Sequence, residues 1–247
     1  MLKKMLFTVG AAGFFCVRLS FSEDITASTS TVKPWKNSTE MSAVNTTGNS
    51  RTTATSVKES FTYSWARTVL GLTGSALGSS ERSGTTAEDY SAGQKVDYKL
   101  TVLDYVYELF NWESNRFAGF RHQYNSSIGY GRKLLTLPHD ALNAEIGGGY
   151  LNEQRIDAPR NDFATGRAYM KYTHVFTPAS NFSQDVEYIH NFASINGYHL
   201  NTETALTAIL TSHLLLKTSY TWNRINEPAP GAGKDDTRLT AALVISY

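Results

Sequence analysis

The reading of 237-TRLTAALVISY-247 decides the fold. Leu239, Ala241, Leu243, Ile245 and Tyr247 fall on one side of an extended chain, and Arg238, Thr240, Ala242, Val244 and Ser246 on the other. A repeat of two is the period of a β-strand, whose side chains point alternately to opposite faces. Chain ends of soluble domains fray, so a terminal aromatic would find nothing to pack against. An apolar medium must cover that side.

The 247 residues suffice for one large β domain, and a formal charge of +1 gives no sign of a nucleic-acid partner. Residues 1–22 read as a secretory signal: Lys3 and Lys4, an apolar run from Met5 to Val17, then Ser20 and Ser22 before a cut ahead of Glu23. Arg18 stops that run short of a membrane-spanning helix. Cleavage leaves 20 basic against 22 acidic residues and removes Cys16, the only cysteine, so no disulfide is expected. Bulky Phe14 and Phe15 beside Cys16 disfavour lipid attachment there. Residues 23–34 form a polar periplasmic tether, and 35–247 the remaining domain.

No later segment reaches the roughly 20 apolar residues of a transmembrane helix. Alternating segments follow instead, at 35–46, 51–64, 66–78, 89–101, 105–114, 124–135, 140–152, 163–175, 181–192, 197–210, 213–225 and 236–247. About twelve strands predict an all-β, transmembrane, antiparallel up-and-down β-barrel in the bacterial outer membrane. Connector lengths agree with that. Links after even strands are brief (SWAR, LTVLD, TLPHD, TPASN, LTSH), whereas GSSERSGTTAED, ESNRFAGFRHQ, NEQRIDAPRND and NEPAPGAGKDD follow odd ones, with NTTGNS and NFASING shorter. Such barrels have short periplasmic turns and longer outer loops.

Face polarity is the second test. Charges at Lys95, Asp97, Lys99, Glu145, Arg167, Lys171, Asp185, Glu187, Glu203, Lys217 and Arg238 are expected to line a wet lumen. Tyr105, Tyr107, Tyr172, Tyr188, Tyr198, Tyr220, Trp222 and Tyr247 are expected on the apolar face as interfacial girdles. A soluble barrel with inverted faces is the rival, but twelve strands enclose more space than side chains fill. The lipid bilayer is thus the expected partner, with barrel-assembly machinery acting during biogenesis.

SSIGYGRKLL (126–135), AEIGGGYLNEQ (144–154) and above all YTWNRINEPAPGAGKDDTRLTAALVISY (220–247) resemble the domain-of-unknown-function family 481, labelled salt-induced outer membrane proteins. The resemblance covers nearly all of the mature chain and implies an outer-membrane barrel of unassigned role. Tyr247 stands where many such barrels end in phenylalanine.

Catalysis finds little support. His122, His139, His174, His190, His199 and His213 show no metal-site spacing, although His190 and His199 flank a loop as a conceivable pair. Gly129, Gly131, Gly147 and Gly149 alternate on the expected lumen faces, leaving space for an aromatic ring or for solvent. No strand-to-helix step follows them, so they are not phosphate loops. No cofactor is expected. A narrow pore or solute channel with a mixed-charge lumen leads, a closed structural barrel comes second, and a lipid-modifying enzyme third.

Overall fold

The computed structural model describes residues 33–46, 52–81, 84–116, 119–156, 159–228 and 233–247. The predicted signal, residues 23–32 of the tether and residues 47–50 of the NTTGNS link lie outside them. Twelve strands form one closed barrel: β1 (Trp35–Thr46), β2 (Thr52–Ser64), β3 (Thr68–Glu81), β4 (Gly84–Lys99), β5 (Asp104–Asn115), β6 (Phe120–Thr136), β7 (Asp140–Arg155), β8 (Asn161–Thr177), β9 (Ser180–Asn191), β10 (Tyr198–Ile209), β11 (Leu214–Ile225) and β12 (Asp235–Ser246). Each pairs antiparallel with its sequence neighbours, and β1 closes on β12. With every strand paired on both sides, backbone polar groups find partners within the protein, which is what allows a sheet to cross lipid.

Three of the predicted outer loops shrink because the strands on either side, β3 and β4, β5 and β6, and β7 and β8, run further than expected. Glu81 pairs with Gly84, and Glu153 with Asn161. Polar side chains there read as loop, yet ladder bonds form irrespective of side-chain polarity where both faces meet water. At the opposite end the turns are tight. In the β4–β5 turn the Thr101 hydroxyl accepts from the amides of Leu103 and Asp104 and donates to the Asp104 carboxylate. This is the side-chain turn chemistry that threonine supplies. Gly119, between β5 and β6, has φ 85°, a left-handed value that glycine takes without a Cβ clash.

The barrel seam accounts for the terminal aromatic. Ser38 to Met41 pair with Ser246 to Leu243, and Asn37 and Tyr247 exchange backbone bonds of 3.3 and 3.0 Å. Tyr247 is exposed outward, with its ring against His213. On β12, Ala242 and Val244 are buried inward while Leu239 and Leu243 face out, the alternation read from the sequence.

β5 corrects that reading. Tyr105 and Tyr107 are buried inside the barrel, not at a girdle, with Leu109 beside them. Val106 and Phe110 take the outer face, together with Glu108. The cause lies on the next two strands. Tyr105 sits opposite Gly131, Tyr107 opposite Gly129, and Gly129 in turn opposite Gly147. A Cβ on Gly131 would enter the Tyr105 ring, and one on Gly129 would come within 2.7 Å of Tyr107. The glycines form a trough in which both rings lie, so the space is filled by aromatics rather than by solvent.

Candidate functional site

The trough organises the lumen chemistry. Tyr105 reaches across Gly131 and donates to Glu145 at 2.9 Å. Lys95, on β4, extends over the Tyr105 and Tyr107 rings (5.4 and 5.5 Å to the centroids) and meets the same carboxylate at 2.5 Å. Arg167 of β8 binds the other Glu145 oxygen at 2.7 Å and Glu187 of β9 at 2.6 Å, its guanidinium over Tyr107 and Tyr169. Asn201 of β10 extends the chain to Glu187. Cations over aromatic faces and between carboxylates satisfy charges that burial would otherwise penalise. The side chains of Lys95, Glu145, Arg167 and Glu187 are 3, 1, 5 and 3 % exposed, so the wall from β4 to β9 is packed.

A second cluster is wetter. Lys217 of β11 binds Glu203 of β10 at 2.9 Å and, reaching past β12, Glu40 of β1 at 3.2 Å. These side chains are 16, 20 and 22 % exposed. Asp185 faces Glu203 across the β9–β10 ladder, a like-charge pair that Lys171 and the Tyr169 hydroxyl offset at 3.8 and 2.6 Å. Lys95 also binds Asp97, at 3.2 Å. Lys99 follows on the same alternation at the short-turn end of β4. Arg238 of β12 interacts electrostatically with Asp89 of β4 and Glu113 of β5, from the far side of the ring, and with Asp236 beside it. All eleven charges expected in the lumen therefore lie on the inner face.

Inner positions of β1–β3, β11 and β12 carry mostly hydroxyls and small groups. Ser42 bonds Ser56 at 2.7 Å and Ser75 bonds Ser91 at 2.6 Å, with Ser60 and Ser219 half-buried on the same lane. Hydroxyls and small groups are thus more frequent on this wall, beside the longer Glu40, Lys217 and Arg238. At the long-loop mouth a cavity of about 150 Å³ is lined by Glu153, Arg155, Phe163, Tyr198, His199 and Glu227. Gln123 and Arg155 hold Glu153 at 3.1 and 2.9 Å, and His199 stands 3.9 Å away.

Of the predicted girdle, Tyr172, Tyr188, Tyr198, Tyr220, Trp222 and Tyr247 occupy the outer alternation. Tyr172 donates to Asp140, and Tyr188 stacks on Tyr198 at 5.6 Å. His190 is outside, stacked with Tyr188, while His199 is buried inside, so the two do not converge. Sequence reasoning missed the inner Tyr105, Tyr107 and Tyr169, and Glu40 as the partner of Lys217. The alternating glycines of β6 and β7 were the available signal for the first two.

A family model described as "Protein of unknown function, DUF481" matches residues 39–247. The chain belongs to this DUF481 family. A DUF481 relative, the "Uncharacterized protein YdiY" of Escherichia coli, is 27% identical over 214 residues, 85% of this chain and 82% of its own length. Among solved structures, the DUF481 barrel is similar to the COG4313 outer membrane channel from Pseudomonas putida (TM-score 0.56, 9% identity, 92% of this chain and 100% of that one). It is also similar to the NanC porin (TM-score 0.53, 11% identity, 86% and 98%). At such identities the likeness establishes the barrel architecture alone.

Proposed function

We propose that this protein sits in the bacterial outer membrane as a narrow, non-enzymatic channel for ions and small hydrophilic solutes. The path runs off-axis, between the packed β4–β9 wall and the hydroxyl-lined lane of β1–β3, β11 and β12. The observation that carries this is the contrast in exposure: 1–5 % for the Lys95–Glu145–Arg167–Glu187 chain against 16–22 % for Lys217, Glu203 and Glu40. Water has readier access to the Lys217 cluster than to the Lys95–Glu145–Arg167–Glu187 chain. Glu40, Lys217 and Glu203 place charge of both signs where solute would pass, and charged side chains lining a pore are a source of selectivity. Likeness to a channel and a porin supports the reading at the level of fold.

In this placement both chain ends and the short turns face the periplasm. Residues 1–22 direct export, 23–34 form the tether, and barrel-assembly machinery inserts 35–247. The closed structural barrel is the second reading, favoured by Arg238 approaching Asp89 and Glu113 from the far wall.

Reconstitution in planar bilayers separates the two. Steady single-channel steps are expected; silence from heat-modifiable, folded protein would instead establish the closed barrel. Lys217→Ala is expected to assemble normally and to shift the reversal potential in a KCl gradient towards cations, because Glu40 and Glu203 lose their shared counter-charge to water. Leu216→Arg, one residue away on the outer face, is expected to impair assembly, since lipid penalises a charged side chain that the lumen accepts. Equal tolerance at the two positions would contradict the assigned faces.

A further inference from the structure

The outer surface is not uniformly suited to lipid. On β4–β6, Tyr98 and Tyr130 mark the short-turn border of the apolar band, and Tyr90, Trp112 and Tyr124 the long-loop border. Between them, Glu108 and Gln94 point outward and exposed. Glu108 lies four residues along β5 from Asp104. It is two residues beyond Val106, which pairs with both Tyr98 and Tyr130, so a strand tilted by about 40° places it about 5 Å inside the apolar band. Val96 and Ile128 flank it across the ladders, and Gln94 is one outward step away, opposite Phe110.

Neither Glu108 nor Gln94 has a hydrogen-bond partner among the described residues. Several other outer polar groups differ: Gln184 bonds Thr204, Thr202 bonds the Trp222 carbonyl, Ser126 bonds the Tyr150 carbonyl, and Glu59 accepts from Thr39. A lone carboxylate and a lone carboxamide among acyl chains would lack the partners that polar groups inside a membrane find.

A second, independent observation falls on the same face. Gly129, Gly131, Gly147 and Gly149 have inner-face neighbours that would clash with a Cβ. Gly74 and Gly78, on the outer alternation of β3, do not: a Cβ on Gly74 would meet only the Ser91 carbonyl, at 4.0 Å, and one on Gly78 nothing. Nothing within the barrel requires them to be glycine. Bare backbone on an outer face allows another protein surface to approach closely, as small residues do between membrane helices.

We propose that the β3–β6 face is an interface with a second copy of this chain. The chemistry selects that occupant because the patch is self-complementary. Glu108 accepts and Gln94 donates, and they are neighbours, so a two-fold axis between them sets each Glu108 against the partner's Gln94. Isologous contacts of this kind close at two copies. The inference rests on the membrane placement above, which recovery in the outer-membrane fraction tests separately.

The experiment uses full-length protein in native outer membranes, in a Cys16→Ser background. Val96→Cys, beside the predicted axis, is expected to give a dimer with a short bismaleimide, and Ala168→Cys on β8 is expected to give none. Adding Gln94→Leu and Glu108→Leu to Val96→Cys should abolish the cross-link while the heat-modifiable barrel persists. If the polar-free variant fails to fold, the Val96→Cys against Ala168→Cys contrast still decides. Cross-linking from neither position, or equally from both, or an adduct heavier than monomer but not of dimer mass, overturns the proposal.

Discussion

Gly149→Ala is expected to abolish barrel formation outright, whereas Gly131→Ala is expected to be recoverable by a second substitution, Tyr105→Ala. Both glycines lie on the inner face and both lack room for a Cβ, but the obstacles differ. At Gly149 the added carbon would strike the Ser126 carbonyl and come within 2.9 Å of the Ser127 Cβ. The struck carbonyl is backbone of the neighbouring strand and cannot move without breaking the ladder. At Gly131 the three nearest atoms all belong to the Tyr105 side chain. Overpacking of this sort costs typically about 1–3 kcal/mol where the surroundings can give. Removing the ring should therefore return stability in the double variant, with a favourable coupling of about 0.5–3 kcal/mol. Heat-modifiable migration and urea midpoints in detergent micelles measure it. A double variant no more stable than Gly131→Ala alone would mean that the rings do not lie in the glycine trough.

The second large effect is expected at Glu145. Its two oxygens receive Lys95, Arg167 and the Tyr105 hydroxyl, in a chain of charges whose side chains are at most 5 % exposed. Glu145→Leu keeps the bulk and removes the charge, so Lys95 and Arg167 each lose a carboxylate while Asp97 and Glu187 stay in place. Breaking a buried ion network on one side typically costs about 3–5 kcal/mol, because the surviving charges stay desolvated. Arg224→Ala provides the contrast. Arg224 pairs with Asp235 at 2.7 Å, but the two are 30 and 43 % exposed, and solvent screening leaves such pairs with little effect on stability. Unfolding in lipid vesicles followed by tryptophan fluorescence should separate the two variants clearly. Similar midpoints would show that water reaches the β4–β9 wall, and the off-axis path would then lose its basis.

Much of this was legible in the chain. Alternation along β8, β9, β11 and β12 identifies inner and outer faces because charge and apolarity separate there, as Arg167 and Lys171 against Ala168 and Met170 illustrate. The outer hairpins were less legible. Glu81 and Glu153 belong to strands although their polarity matches that of a loop, because ladder bonds are made by the backbone whatever the side chain. β5 was read with its faces exchanged. Tyr105, Tyr107 and Leu109 are as apolar as Val106 and Phe110, so a period of two could not choose between them.

The amino-acid order by itself determined a twelve-stranded antiparallel barrel, its seam at the terminal tyrosine and most of its inner charges, because those follow from local alternation and connector length. Only the closed structure decided that two tyrosines turn inward, that Lys95 crosses two strands to reach Glu145, and that Glu108 is left facing out. Those outcomes depend on which side chains stand opposite one another once the sheet has closed, and glycines on β6 and β7 make room for β5 only when the strands lie side by side.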